Sequence, residues 1–149
     1  LHNYVNAWAR LANIRVDASE HPIVLLTFPR VMQLEDLDVL DPTILELVRT
    51  RGPIITVAHF PDLDLRTVTA AYRKRMAEGA DRVAEEGGLV VEIVVLPSAL
   101  YRAMFTAYAW MRAHKTHPQL AFATLEEAYA EARAWAPRAS EPGAASESR

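Results

Sequence analysis

No cysteine occurs anywhere in the 149 residues, which excludes disulfides, thiolate catalysis and cysteine metal sites. Surplus basic charge is missing too: 16 Lys and Arg stand against 19 Asp and Glu, a formal charge of −3 with a pI near 6.0. Partners such as nucleic acid or anionic membrane are held by excess cation, so neither is expected here. No apolar run reaches the roughly 18 residues that span a bilayer, and residues 1–10 lack a signal peptide's charged-then-apolar layout. The expectation is a cytoplasmic chain without a transmembrane segment. Also lacking are a Gly-x-Ser-x-Gly elbow, a phosphate-cradling glycine loop and a His-Glu-x-x-His helix. No motif therefore names a catalytic residue, a metal or a cofactor, and the chain is not expected to be an enzyme.

What the sequence does contain is organised around Leu89 to Trp110, LVVEIVVLPSALYRAMFTAYAW. Leu89 to Leu96 is an almost unbroken aliphatic, β-branched run of the kind that suits a strand covered on both faces. Pro97 ends it, Ser98 is placed to cap a helix, and an apolar-periodic segment follows at once. This is a βα unit with its strand in the middle of a sheet.

In chain order, Tyr4, Val5, Trp8, Leu11 and Ala12 fall at helical spacing, so residues 1–12 are expected as an amphipathic lead-in. Asn13 to Asp17 and Ile23 to Phe28 read as a strand hairpin, then Val31 to Arg51 as helix one. Pro42 disfavours helical geometry at Asp41, and the preferred reading is a restart with Asp41 as cap and Pro42 in the first turn. Ile54 to Phe60 is the third strand. Helix two runs from about Arg66 to Glu86 with Val68, Tyr72, Met76, Gly79 and Val83 on its buried stripe, and Gly87-Gly88 closes it. Helix three spans about Ala99 to Ala113, Leu120 to Ala123 form a last strand, and Thr124-Leu125-Glu126-Glu127 opens helix four as a capping box. Residues 137–149, small and polar, are expected as a disordered tail. A chain of this length forms one domain that buries about two thirds of its unfolded surface. The expected fold is α/β, a mostly parallel five-stranded sheet with an N-terminal antiparallel hairpin and about four flanking helices.

Three patterns in this order resemble the SpoIIAA-like, STAS-like family of small bacterial domains. They are Gln33-Leu34-Glu35-Asp36-Leu37 opening helix one, Leu96-Pro97-Ser98-Ala99-Leu100-Tyr101-Arg102 at the central turn, and Phe122-Ala123-Thr124-Leu125-Glu126-Glu127-Ala128 before the last helix. The resemblance covers residues 13–136 and implies the same fold and a regulatory role. STAS domains that antagonise anti-sigma factors carry a phosphorylatable Ser-Ser-Gly run where the third strand meets helix two. Here that junction reads His59-Phe60-Pro61-Asp62-Leu63-Asp64-Leu65-Arg66-Thr67, so the phosphorylation switch is expected to be absent. Other SpoIIAA-like domains resemble lipid-carrying α/β folds, which implies an apolar ligand as the alternative.

Open α/β sheets bind ligands beyond the carboxyl ends of their strands. That edge is expected to collect Arg30, His59, Asp62, Asp64, Ser98, Arg102 and Thr124. His59 with Asp62 and Asp64 would suit acid–base chemistry or a metal; the simpler reading makes Asp64, Ser98 and Thr124 caps of helices two, three and four. His114 and His117 are two imidazoles without a third ligand, a poor metal site. Arg73-Lys74-Arg75 points three ways around a helix and forms no stripe for nucleic acid.

Helix three stands apart. Leu100, Ala103, Met104, Ala107, Trp110 and Met111 make an apolar stripe expected against the sheet, and Tyr101, Phe105 and Tyr108 make a second one beside it, with Arg112 a turn on. The second stripe, together with Trp110 and Arg112, is expected to be an interface or a ligand wall, unless Tyr4 and Trp8 cover it. The expectation for function is a non-enzymatic interaction or regulatory module. It would act as a homodimer or with a protein partner, through helix three and the acidic segment Glu35, Asp36, Asp38 and Asp41. The alternative is a small apolar-ligand carrier lined by Phe105, Tyr108 and Trp110.

Overall fold

The computed structural model describes residues 8–11, 13–111 and 117–141, with only the backbone of residues 8–11, 110 and 111. In chain order the elements are β1 (Trp8–Leu11), β2 (Ile14–Glu20), β3 (Ile23–Thr27), α1 (Leu34–Arg51), β4 (Ile54–His59), α2 (Ala70–Glu85), β5 (Leu89–Val95), α3 (Ala99–Met111), β6 (Gln119–Phe122) and α4 (Leu125–Ala139), with a 3₁₀ turn at Leu65–Thr67. The sheet order is β1-β2-β3-β4-β5-β6. β1 to β3 pair antiparallel, and β3 to β6 pair parallel. The α/β class, the opening hairpin, the parallel majority and four helices are as expected; the sheet has a sixth strand.

That sixth strand, β1, lies in the stretch expected as an amphipathic lead-in. Residues 8–11 are extended and pair with Asp17 to Ile14 of β2, so the helical spacing there was misleading. Five apolar positions in twelve satisfy a helical template by chance, and a strand is stabilised by a distant partner that spacing does not reveal. Residues 1–7 and 12 lie outside the described residues.

Each parallel strand is added on the same side of the last, so right-handed crossovers lay α1, α2 and α3 on one face. Under them lie Val24, Leu26, Phe28, Ala58, Val94 and Leu96. α4 returns over the other face, against Ile55, Val57, Val91, Ile93 and Val95. β5 is thus buried on both sides, as its aliphatic run required, except at Glu92.

α1 is one continuous helix through Pro42, not two. The proline ring is exposed, and the carbonyl it leaves without a donor belongs to Asp38, also on the solvent side, so the lost bond does not strand a buried acceptor. Leu37 and Leu40 before it, and Ile44, Leu45, Leu47 and Val48 after it, are buried together. Restarting the helix would pull one group from the core, and that outweighs a strained turn. α4 likewise continues through Pro137 to Ala139, which is buried, with Arg138 stacked 4.4 Å over Trp135. Residues 137–139 therefore belong to the domain and not to a tail; residues 142–149 lie outside the described residues.

α2 starts later than expected. Asp64 caps the 3₁₀ turn, accepting from the Arg66 N–H, and Thr69 caps α2 by accepting from Tyr72. Its end is a Schellman turn: the Gly88 N–H donates to Val83 and the Gly87 N–H to Ala84, with Gly87 at φ 73°.

Candidate functional site

The carboxyl edge of the sheet does form, but its polar groups serve the fold. Arg30 lies 3.8 Å from Asp62, both exposed. Asp64 accepts two bonds from the Arg66 guanidinium, at 3.0 and 2.9 Å, which with the backbone bond hold its carboxyl below the usual carboxylate range. The Ser98 hydroxyl accepts from the Tyr101 N–H at 3.3 Å, and Thr124 caps α4 through the Glu127 N–H at 3.2 Å. Arg102 donates to the carbonyls of Leu96 and Pro97 at 2.7 and 2.9 Å, tying α3 to the end of β5. The two rim loops are joined by Thr67, whose hydroxyl accepts from Met32 at 3.0 Å and donates to Asp64 at 2.7 Å.

His59 is not joined to the carboxylates. In strand alternation it continues the row of Ile55 and Val57 on the α4 side. Burial alone lowers its pKa, with no carboxylate contributing, so the triad of His59, Asp62 and Asp64 considered for acid–base work is not assembled. The topology gives the reason. All three parallel crossovers lie on one face, so the sheet has no point where successive connections diverge to opposite faces, and it is there that doubly wound sheets open a ligand crevice.

α3 is rotated relative to expectation. Tyr101 and Phe105 pack against the core under α1 and α2, and Ala109 is buried. The Tyr108 hydroxyl donates to the Arg73 carbonyl at 3.5 Å. The stripe expected against the sheet is the one exposed: Leu100 is 65% and Met104 47% accessible, and Ala99, Ala103 and Ala107 are exposed with them. Both stripes are apolar, so a count of apolar residues does not choose between them. The core takes up Tyr101 and Phe105 and leaves Leu100 and Met104 outside. The Arg102 tether then fixes the rotation. The side chain of Trp110 and the whole of Arg112 lie outside the described residues.

The feature that sequence reasoning missed is a polar layer beneath α1 and α2. Asp36 and Asp41, expected on an acidic contact segment, are buried at 2% and 9% accessibility, leaving Glu35 and Asp38 on the surface. Arg75 grips Asp41 and reaches Asp38 at 3.2 Å. Gly79 makes this possible, because a Cβ there would stand 2.6 Å from the Asp41 carboxylate. Asp36 accepts from Asn13 at 3.3 Å, and the nearby Tyr72 phenol is pushed far up in pKa by burial first and by Asp36 and Asp41 next. On the sheet, Glu92 sits between Thr56 of β4 and Gln119 of β6. Its Oε2 accepts from His117 Nε2 and Gln119 Nε2, both at 2.8 Å. His117 is buried there, and His114 lies outside the described residues. Among the described residues no three His, Asp or Glu side chains are grouped to hold a metal. The lone acid in the β5 run was the available signal, since a carboxylate in a strand buried on both faces has to find a donor.

A cavity of about 70 Å³ opens in this layer, walled in part by Asp41, Thr56, Ala58, Gly79, Ala80 and Glu92. It is large enough for water, which needs roughly 10–15 Å³ on this measure. Ligand pockets start at about 300 Å³. Phe105 and Tyr108 do not line it.

No family model matches the chain, and no curated protein or solved structure matches it either.

Proposed function

We propose that the chain is a non-catalytic interaction module of the regulatory kind implied by its SpoIIAA-like resemblance, and that it contacts its protein partner through the outer side of α3. The observation that carries this reading is the composition of that side. Ala99, Leu100, Ala103, Met104 and Ala107 are all exposed, and none is charged. The other helices carry charge where they meet solvent: Lys74, Glu78 and Arg82 on α2, Glu126, Glu127 and Arg133 on α4. An exposed stripe of Leu and Met is what a contact surface needs. The rim supports the same reading, because its arginines, carboxylates and hydroxyls are occupied by caps, ion pairs and carbonyls. The carrier alternative has less support among the described residues, where the cavity beneath α1 and α2, about 70 Å³, is far smaller than an acyl chain requires.

Met104→Asp tests the proposal. Peptides selected from a random display library on the wild-type chain are re-tested on that variant, and sedimentation velocity of both forms registers self-association. Loss of the selected peptides, or of a dimer, in the variant supports the reading. Selected peptides that bind both forms equally, with assembly unchanged, would sink it.

A further inference from the structure

Resting on that reading of α3, we infer that the partner is an acidic amphipathic segment of another protein, lying along α3 and the first half of α2, and not a second copy of this chain. The chain is acidic overall, yet this sector has one sign of charge, and it is positive. From Ile93 to Leu125 there is no Asp or Glu, and from Leu65 to Ala77 there is none; Arg66, Arg73, Lys74 and Arg102 fall in those stretches. The fold places them side by side. Tyr108 donates to the Arg73 carbonyl, so the Arg73 turn of α2 lies beside α3 one helical turn beyond Met104.

Not every cation there is available. Arg66 is 85% exposed but shares its charge with Asp64, and Arg75 turns away to α1, where Asp38 and Asp41 neutralise it. Arg73 and Lys74 are exposed and have no carboxylate partner among the described residues. Arg102 points away from the ridge, where it donates to the Leu96 and Pro97 carbonyls. The surface is therefore an apolar ridge, Leu100 and Met104, beside uncompensated positive groups. Two copies meeting there would bring like charges together as water is excluded, which opposes association. A helix with apolar residues three and four apart and acids on either side satisfies both features.

The test uses the full chain and two synthetic labelled helical peptides of equal length. Both have Leu three and four residues apart; one carries Glu and Ala elsewhere, the other Lys and Ala. Fluorescence anisotropy should show the Glu peptide binding, more weakly as salt is raised, and the Lys peptide unbound. The double variant Arg73→Glu, Lys74→Glu should weaken the Glu peptide about tenfold or more, and Met104→Asp should abolish its binding. Thermal melts establish that both variants are folded. Equal binding of the two peptides, or no binding of the Glu peptide, overturns the inference. So does a wild-type dimer that Met104→Asp dissolves, which would make the partner a second copy. Capture by vesicles of phosphatidylglycerol in phosphatidylcholine, without peptide binding, would assign the surface to a membrane. Each of those outcomes leaves α3 as a contact surface provided Met104→Asp disrupts it; if that variant changes none of these measurements, the reading of α3 itself fails.

Discussion

The rotation of α3 can be tested with two neighbouring residues, since Met104 and Phe105 are adjacent in sequence and opposite in environment. Phe105 packs on the core, half-buried. Replacing it with Asp removes roughly half of a buried phenylalanine's contribution, about 2 kcal/mol, and sets a carboxylate against apolar neighbours for about 1–2 kcal/mol more. The total is about 3–4 kcal/mol, and for a chain of this size each kcal/mol moves Tm by about 2–4 °C. A fall of about 10 °C is expected for Phe105→Asp. Met104 is 47% exposed, so Met104→Asp loses mainly helix propensity, about 0.5 kcal/mol, and Tm should fall by about 1–2 °C. Differential scanning calorimetry of the two variants decides it. If Met104→Asp melts as low as Phe105→Asp, or if Phe105→Asp melts with the wild type, α3 does not face the core through its aromatic stripe.

Gly79→Ala should go against helix propensity. Alanine ordinarily gains about 1 kcal/mol over glycine inside a helix, but here its Cβ would displace the Asp41 carboxylate from Arg75, and a net loss of about 2 kcal/mol in chemical denaturation is expected; a gain would refute the buried clasp. His21 and His59 both have lowered pKa values, burial being the main cause and Arg51 adding to it at His21. Their folded-state values lie below the unfolded value near 6.5, so the unfolded state binds more protons and stability, full above that pH, is lost as pH falls from there through the folded values. Wild type minus the double variant His21→Gln, His59→Gln should show that slope; a difference independent of pH between 7.5 and 5 would refute it. A chain ending at Ala136 should melt below one ending at Glu141, because it lacks buried Ala139 and the Arg138–Trp135 stack; equal melting would mean that the last turn of α4 contributes nothing.

Everything closed by short-range forces was legible in the sequence. Aliphatic runs mark β3, β4 and β5, and side chains within a turn of the helix starts identify Ser98 and Thr124 as caps. Gly87-Gly88 marks the end of α2, because the left-handed position there favours glycine. The alternation of these elements is enough for a parallel α/β sheet. What only the tertiary structure decided depends on partners distant along the chain. β1 exists as a strand because β2 supplies its hydrogen bonds. α1 passes through Pro42 because leucines and isoleucines on both sides are held by one core. Asp64 loses α2 to Thr69 because Thr67 is tied to Met32 across the rim. The candidate site shows the same division. That α3 has two apolar stripes is written in its residues; which one faces out depends on tertiary contacts, among them the Arg102 tether to the end of β5. That Glu92 lies in a buried strand is equally plain, but its donors come from His117 and Gln119, beyond a whole helix, and only the pairing of β5 with β6 brings them within 2.8 Å.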